Sequence, residues 1–139
     1  MPAETASLTG ALGEMAFERH FLAEGRFIAV PRFDLHKTDF VLEWEGRLVK
    51  VQVKTMSLQK TTRQPTYTAS LQTSRDGKPC QLYQEGDCDF IAVVNLDYDR
   101  IWMLPLHETK GKRSLAWVAP GCRKVKRRNT FEWDPYRIK

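Results

Sequence analysis

Three residues of complementary chemistry, Asp39, Gln52 and Lys54, are separated by a stretch that reads as a β-hairpin. Glu45-Gly46 suits its two-residue loop, because glycine accepts the positive φ that such turns require. With Trp44 opposite Arg47, the register sets Asp39 opposite Gln52; a bulged loop would shift it by one. Side chains alternate along a strand, so Val49, Val51 and Val53 share a greasy face with Phe40 and Leu42. Asp39, Gln52 and Lys54 take the other face, where opposed Cβ atoms lie about 5 Å apart. A carboxylate, an amide oxygen and an ammonium gathered at one point suit phosphate chemistry. Oxygen donors match magnesium, which takes only one or two carboxylates from a protein. An ammonium beside them can offset charge developing on a phosphate.

Taken in order, Asp39, the hairpin and Gln52-Val53-Lys54 resemble the core of PD-(D/E)XK nucleases. Thr38 stands where that motif has proline, and Gln52 where it has its second acid. The Gln-x-Lys form, within Val51-Gln52-Val53-Lys54-Thr55, resembles the branch that includes group I intron homing endonucleases. The resemblance runs over roughly residues 10 to 106, taking in Gly13-Glu14, Tyr83, and Gly86-Asp87-Cys88-Asp89-Phe90 leading into a strand that ends near Leu104-Pro105-Leu106. It implies an α/β, restriction-endonuclease-like core, a mixed β-sheet flanked by helices. It also implies Glu14, Asp39, Gln52 and Lys54 as catalytic residues, with Mg2+ (Mn2+ substituting) held by Asp39, Gln52 and the Val53 carbonyl. Lys54 would position or activate the attacking water, and Glu14 would hold metal through water or orient the nucleophile. With Gln52 in place of an acid, one negative charge is missing, and weaker metal binding follows.

The resemblance makes DNA the partner and homing-type cleavage of duplex the leading activity. Archaeal-type Holliday junction resolvases show a similar helix Glu, strand Asp and x-Lys, so branched DNA is an alternative substrate. A catalytically silent DNA-binding module is a third reading, since Asp, Gln and Lys also populate ordinary solvent-facing strands. One site must act twice or pair with another to cut both strands, so a homodimer or homotetramer is expected.

Composition sets the wider frame. A chain of 139 residues, 42% apolar and 28% charged, suits one domain over 1–139 with a real core and a distinct tail from about 121 to 139. No apolar run reaches membrane-span length and no secretory pattern opens the chain, so a cytoplasmic or nucleoid-associated protein is expected. Cys80, Cys88 and Cys122 are odd in number and far apart, which disfavours a disulfide framework or a zinc site. The net charge of +5 suits an anionic partner.

The elements that must position the site follow the chain. Residues 1–7 read as a loose leader. A helix is expected from Ser7 or Thr9 to about Glu24, with Leu8, Leu12, Met15, Ala16 and Leu22 at helical spacing and Gly25 as its stop. Glu14, Phe17 and Phe21 share that periodicity, which puts Glu14 at the edge of the stripe meeting the sheet; otherwise it is an acid favoured near a helix N-terminus. Glu18 is a weaker candidate. Phe27–Val30 reads as a short strand, and 32–38 as a loop in which His36 reads as solvated and Asp34 yields to Asp39. Residues 55–65 read as loop, 66–73 as a strand with Tyr67, Ala69 and Leu71 on one face, 74–78 as a turn and 79–86 as a helical turn. Phe90–Leu96 and Ile101–Leu106 form a second hairpin whose first strand is buried. Candidate phosphate contacts are Lys37, Lys60, Arg63, Arg75 and Lys78, together with Arg123, Lys124, Lys126, Arg127 and Arg128. Phe131, Trp133 and Tyr136 follow that basic run, as stacking partners for bases or as aromatics closing the core.

Overall fold

The computed structural model describes residues 3–33, 37–59, 64–75, 78–122 and 131–138. Its frame is a five-stranded mixed sheet in the order β1 (Ile28–Ala29), β2 (Phe40–Trp44), β3 (Arg47–Thr55), β8 (Phe90–Asn95), β9 (Arg100–Pro105). The first hairpin has the expected register, Trp44 opposite Arg47 and Phe40 opposite Val51. Its loop places Glu45 at φ 50° and Gly46 at φ 82°, the paired positive angles of a type I′ turn, whose twist matches that of the strands. Strand β8 runs parallel to β3 and antiparallel to β9, so it is central and buried along nearly its whole length.

Helix α1 (Ala3–Ala23) covers one face of this sheet. It starts earlier than expected, taking up residues 3–7 that read as a leader, in a stretch free of interior proline. Gly25, at φ 73°, closes it and donates its N–H to the Leu22 carbonyl at 2.9 Å. The face it buries carries Phe17 and Phe21, which meet Phe40, Leu42, Val49, Val51 and Val53 across the layer. Leu8, Leu12, Met15 and Leu22 have the right spacing for a helix but lie on its exposed side. Two apolar stripes run along α1, and the wider aromatic side chains won the core.

The opposite face is covered by strands rather than a second helix. A three-stranded sheet, β10 (Ser114–Val118), β5 (Thr66–Ser70), β4 (Ser57–Gln59), packs Tyr67, Ala69, Leu115 and Trp117 onto Ile91, Val93, Trp102 and Leu104. Part of the expected loop after Lys54 is thus the strand β4, which pairs with β5. The expected strand over 66–73 breaks at Leu71 into β5 and β6 (Gln72–Arg75), and β6 pairs with β7 (Lys78–Leu82) as a two-stranded ribbon. That pairing replaces the helical turn expected over 79–86: a backbone lying beside β6 satisfies its hydrogen bonds across the ribbon instead.

The aromatics after the basic run close this second core. Trp133 is buried against Trp102 and donates its indole N–H to the Ala116 carbonyl at 2.9 Å, while Phe131 and Tyr136 pack beside it. Trp133 is therefore removed from any stacking with bases. No described helix is long and apolar enough to cross a membrane. Truncating Phe17 to alanine, which empties a fully buried site, should cost about 3–5 kcal/mol, read as a lowered urea midpoint with an unchanged m-value.

Candidate active site

Strand β3 has a buried face of Val49, Val51 and Val53 and an opposite face of Lys50, Gln52 and Lys54. Its partner β2 begins at Phe40, opposite Val51, so no backbone of β2 lies opposite Val53. Asp39 fills that gap. Its own N–H bonds the Val51 carbonyl at 2.8 Å, and its Oδ2 accepts the Val53 N–H at 2.8 Å. The N–H and C=O of one strand residue point to the same edge. The Val53 carbonyl therefore faces the Asp39 side too, away from β8.

Glu14 reaches the same point from α1. It hydrogen-bonds the Asp39 carboxyl, and burial, followed by the Asp39 charge, pushes its pKa up to about 7. The approach depends on Gly13, because a Cβ there would overlap the side chain of Thr55 at the end of β3. Gly13 lets the helix come close enough for the next residue to meet Asp39. This use of glycine overrides its cost in a helix, about 1 kcal/mol relative to alanine.

Gln52 is partly buried and makes no side-chain hydrogen bond among the described residues. Lys54 is held more tightly: Nζ donates to the Gln72 carbonyl at 3.0 Å and lies 5.2 Å from the centroid of the Tyr83 ring. Gln72 opens β6 and Tyr83 follows the end of β7, so Lys54 sits at the root of the ribbon. Lys37 approaches the same ring at 5.9 Å and pairs with Asp87 at 3.3 Å. Burial, then the nearby Cys88, Asp39 and Asp87, hold the Tyr83 hydroxyl protonated well above its ordinary range.

The segment after Tyr83 is stitched to the site strands. Asp87 accepts the Gln84 N–H at 2.8 Å and its carbonyl accepts the Thr38 hydroxyl at 3.0 Å. Asp89 accepts the Lys50 N–H at 2.8 Å. Burial, then Asp87 and Asp89, pushes the Cys88 thiol up to about 12, which leaves it protonated and unsuited to attack.

Glu14, Asp39 and the backbone of Val53 thus converge, with Gln52 and Lys54 on the adjoining strand positions. Tyr83 belongs to the resemblance, but sequence reading did not find that its ring and the Gln72 carbonyl hold Lys54. Neither had a local signal, because each depends on the ribbon pairing. Among the phosphate candidates, Lys37 lies beside the site. Arg75 and Lys78 pair with each other in the ribbon backbone, without description of their side chains. Lys60, Arg63, Arg123, Lys124, Lys126, Arg127 and Arg128, as well as Asp34 and His36, lie outside the described residues.

A mixed sheet with an acid at the ragged start of one strand and an x-Lys strand beside it is the arrangement of a restriction-endonuclease-like fold. The solved structure of a bacterial homing endonuclease, I-Ssp6803I, is similar to this chain with a TM-score of 0.75, covering 94% of this chain and 87% of that one at 22% identity. At that identity the likeness speaks for the fold. The chain belongs to the PD-(D/E)XK endonuclease family, whose model matches residues 5–135. Protein 5.3 of Escherichia phage T7 is 35% identical over 108 residues, 78% of this chain and 86% of that protein.

Two outcomes follow from the geometry. Gly13→Ala should lower both melting temperature and activity despite alanine's higher helix propensity, and Thr55→Ala should restore part of the loss; thermal melts and a cleavage assay check this. Burial and the Asp39 charge raise the Glu14 pKa from its ordinary 4.5 to about 7 in the folded chain. The folded state then holds the proton more tightly than the unfolded one, so metal-free stability falls as pH rises from about 4.5 to 7 and is level above that. Glu14→Gln should flatten this slope in melts followed across pH.

Proposed function

We propose that this chain is a metal-dependent endodeoxyribonuclease that hydrolyses phosphodiester bonds of duplex DNA, cleaving as homing endonucleases do. The contact of Glu14 with Asp39, beside an edge-facing Val53 carbonyl, carries this reading. Two carboxylates in hydrogen-bond contact, one with a raised pKa, form a site whose charge a hard cation would neutralise. The donors are all oxygen, which fits Mg2+ with Mn2+ as a substitute. Asp39, the Gln52 amide oxygen and the Val53 carbonyl would hold it, and it would supply charge neutralisation at the phosphoryl oxygens and a more acidic water.

The chain's own groups do the rest. Lys54, fixed by Gln72 and Tyr83, presents its ammonium to the phosphate and offsets the negative charge that builds as the bond breaks. Glu14 orients the attacking water. The neutral Gln52 leaves one negative charge fewer around the cation than a second acid would, so millimolar rather than micromolar metal is expected. Lys37 and the ribbon residues Arg75 and Lys78 serve the flanking phosphates, as do Lys60, Arg63 and the cations between 123 and 128.

The test is a panel of linear, nicked, flapped and four-way DNA with Mg2+, Mn2+ or chelator. Metal-dependent cutting of linear duplex is expected, and Lys54→Ala should reduce it about 100-fold or more while leaving DNA affinity within a few-fold. Cutting confined to four-way junctions would make the chain a resolvase. Binding without cutting under either metal would leave a silent DNA-binding module.

A further inference from the structure

We propose that the outward face of α1 is the surface through which two copies of this chain associate. Leu8, Leu12, Met15, Arg19 and Leu22 recur at intervals of four, three, four and three residues, the a/d spacing of a helix–helix seam. Leu8, Leu12, Met15 and Leu22 are 61%, 45%, 64% and 55% exposed. At about 100° per residue, this stripe points about 180° away from Gly13, Phe17 and Phe21, the side buried on the sheet. The helix thus has two apolar faces, and its own chain covers one. Four exposed apolar side chains on one helix face, interrupted by Arg19, form a candidate interaction surface.

The stripe's own spacing names its occupant. Positions 8, 15 and 22 repeat every seven residues, so a second copy of the same helix offers a matching row of knobs and holes. Arg19 within the seam and Glu18 beside it give each copy both signs of charge, so like surfaces can meet without net repulsion. DNA is a poor fit, because Arg19 is the one cation among the five seam positions and phosphate contacts need several. Glu14 lies on the flank of α1, turned toward Asp39, so pairing through the stripe leaves the candidate site open. Four half-exposed side chains offer a few hundred Å² at most, less than the ~800 Å² per partner of a standard interface. Association is therefore expected at micromolar chain concentration. The surface stands on exposure and spacing alone; its use, bringing one site to each DNA strand, rests on the nuclease reading.

Sedimentation equilibrium of the full chain from about 1 to 100 µM, the range set by that modest area, reads the association directly. The wild type should reach at least twice its 16.1 kDa. Leu12→Glu/Met15→Glu should raise the dissociation constant at least tenfold without loss of helicity, because both side chains are exposed in the single chain. Arg19→Leu completes the apolar seam and should lower that constant at least tenfold. A wild type that stays monomeric across the range, or mass curves identical in all three proteins, overturns the proposal. Asp39→Asn separates the two readings: it should abolish cutting and leave the mass unchanged. Association through the stripe by a chain that cuts no DNA would sink the nuclease reading alone, and cutting by a chain that remains monomeric would sink the surface alone.

Discussion

The bond from the Val53 N–H to the Asp39 carboxylate is the point on which the site depends. Strand β2 begins only opposite Val51 and offers Val53 no backbone acceptor, and a carboxylate closes the ladder instead. Hydrogen bonds to an ionised acceptor are roughly twice as strong as neutral ones. The same contact holds the acid at the sheet's ragged end and leaves the Val53 carbonyl facing the same edge. Glu14 then arrives from the helix side, and the two carboxylates sit in hydrogen-bond contact. Two acids, a backbone oxygen and a partly buried amide leave this edge of the sheet polar.

Two cores hold that edge in place. On the helix side, Phe17 and Phe21 fill the space over the valines of β3, and Gly13 sets how near the helix axis comes. On the other side, Trp102, Trp117 and Trp133 bind the three-stranded sheet and the C-terminal aromatics to β8 and β9. The polar face of β3 is therefore not an ordinary solvent face. The ribbon rises beside it, and Lys54 is held by the ribbon's first carbonyl and by the ring just past its last strand. Positions along β6 and β7 thus connect mechanically to the Lys54 ammonium.

Much of the site was legible along the chain because it is local. The I′ turn at Glu45-Gly46 sets the register, and the register alone brings Asp39 next to β3. The second hairpin was legible for the same reason, with an unbroken apolar run marking β8 as central. Leu8, Leu12, Met15 and Leu22 recur at helical spacing just as Phe17 and Phe21 do. Periodicity says that a helix forms and is silent on which of two apolar stripes meets the sheet. Strand β4 and the ribbon were missed for another reason: short polar segments become strands only when a partner satisfies their backbone groups.

The sequence by itself determined the hairpin, its register up to Phe40 opposite Val51, and the apolar strands that carry the candidate residues, because a period of two and a tight turn depend on neighbours a few residues apart. Tertiary structure decided that Glu14 touches Asp39, that Gln72 and Tyr83 hold Lys54, and that Trp133 is buried. Those contacts join elements distant along the chain, and which of them form is settled by how two faces of one sheet fill their space.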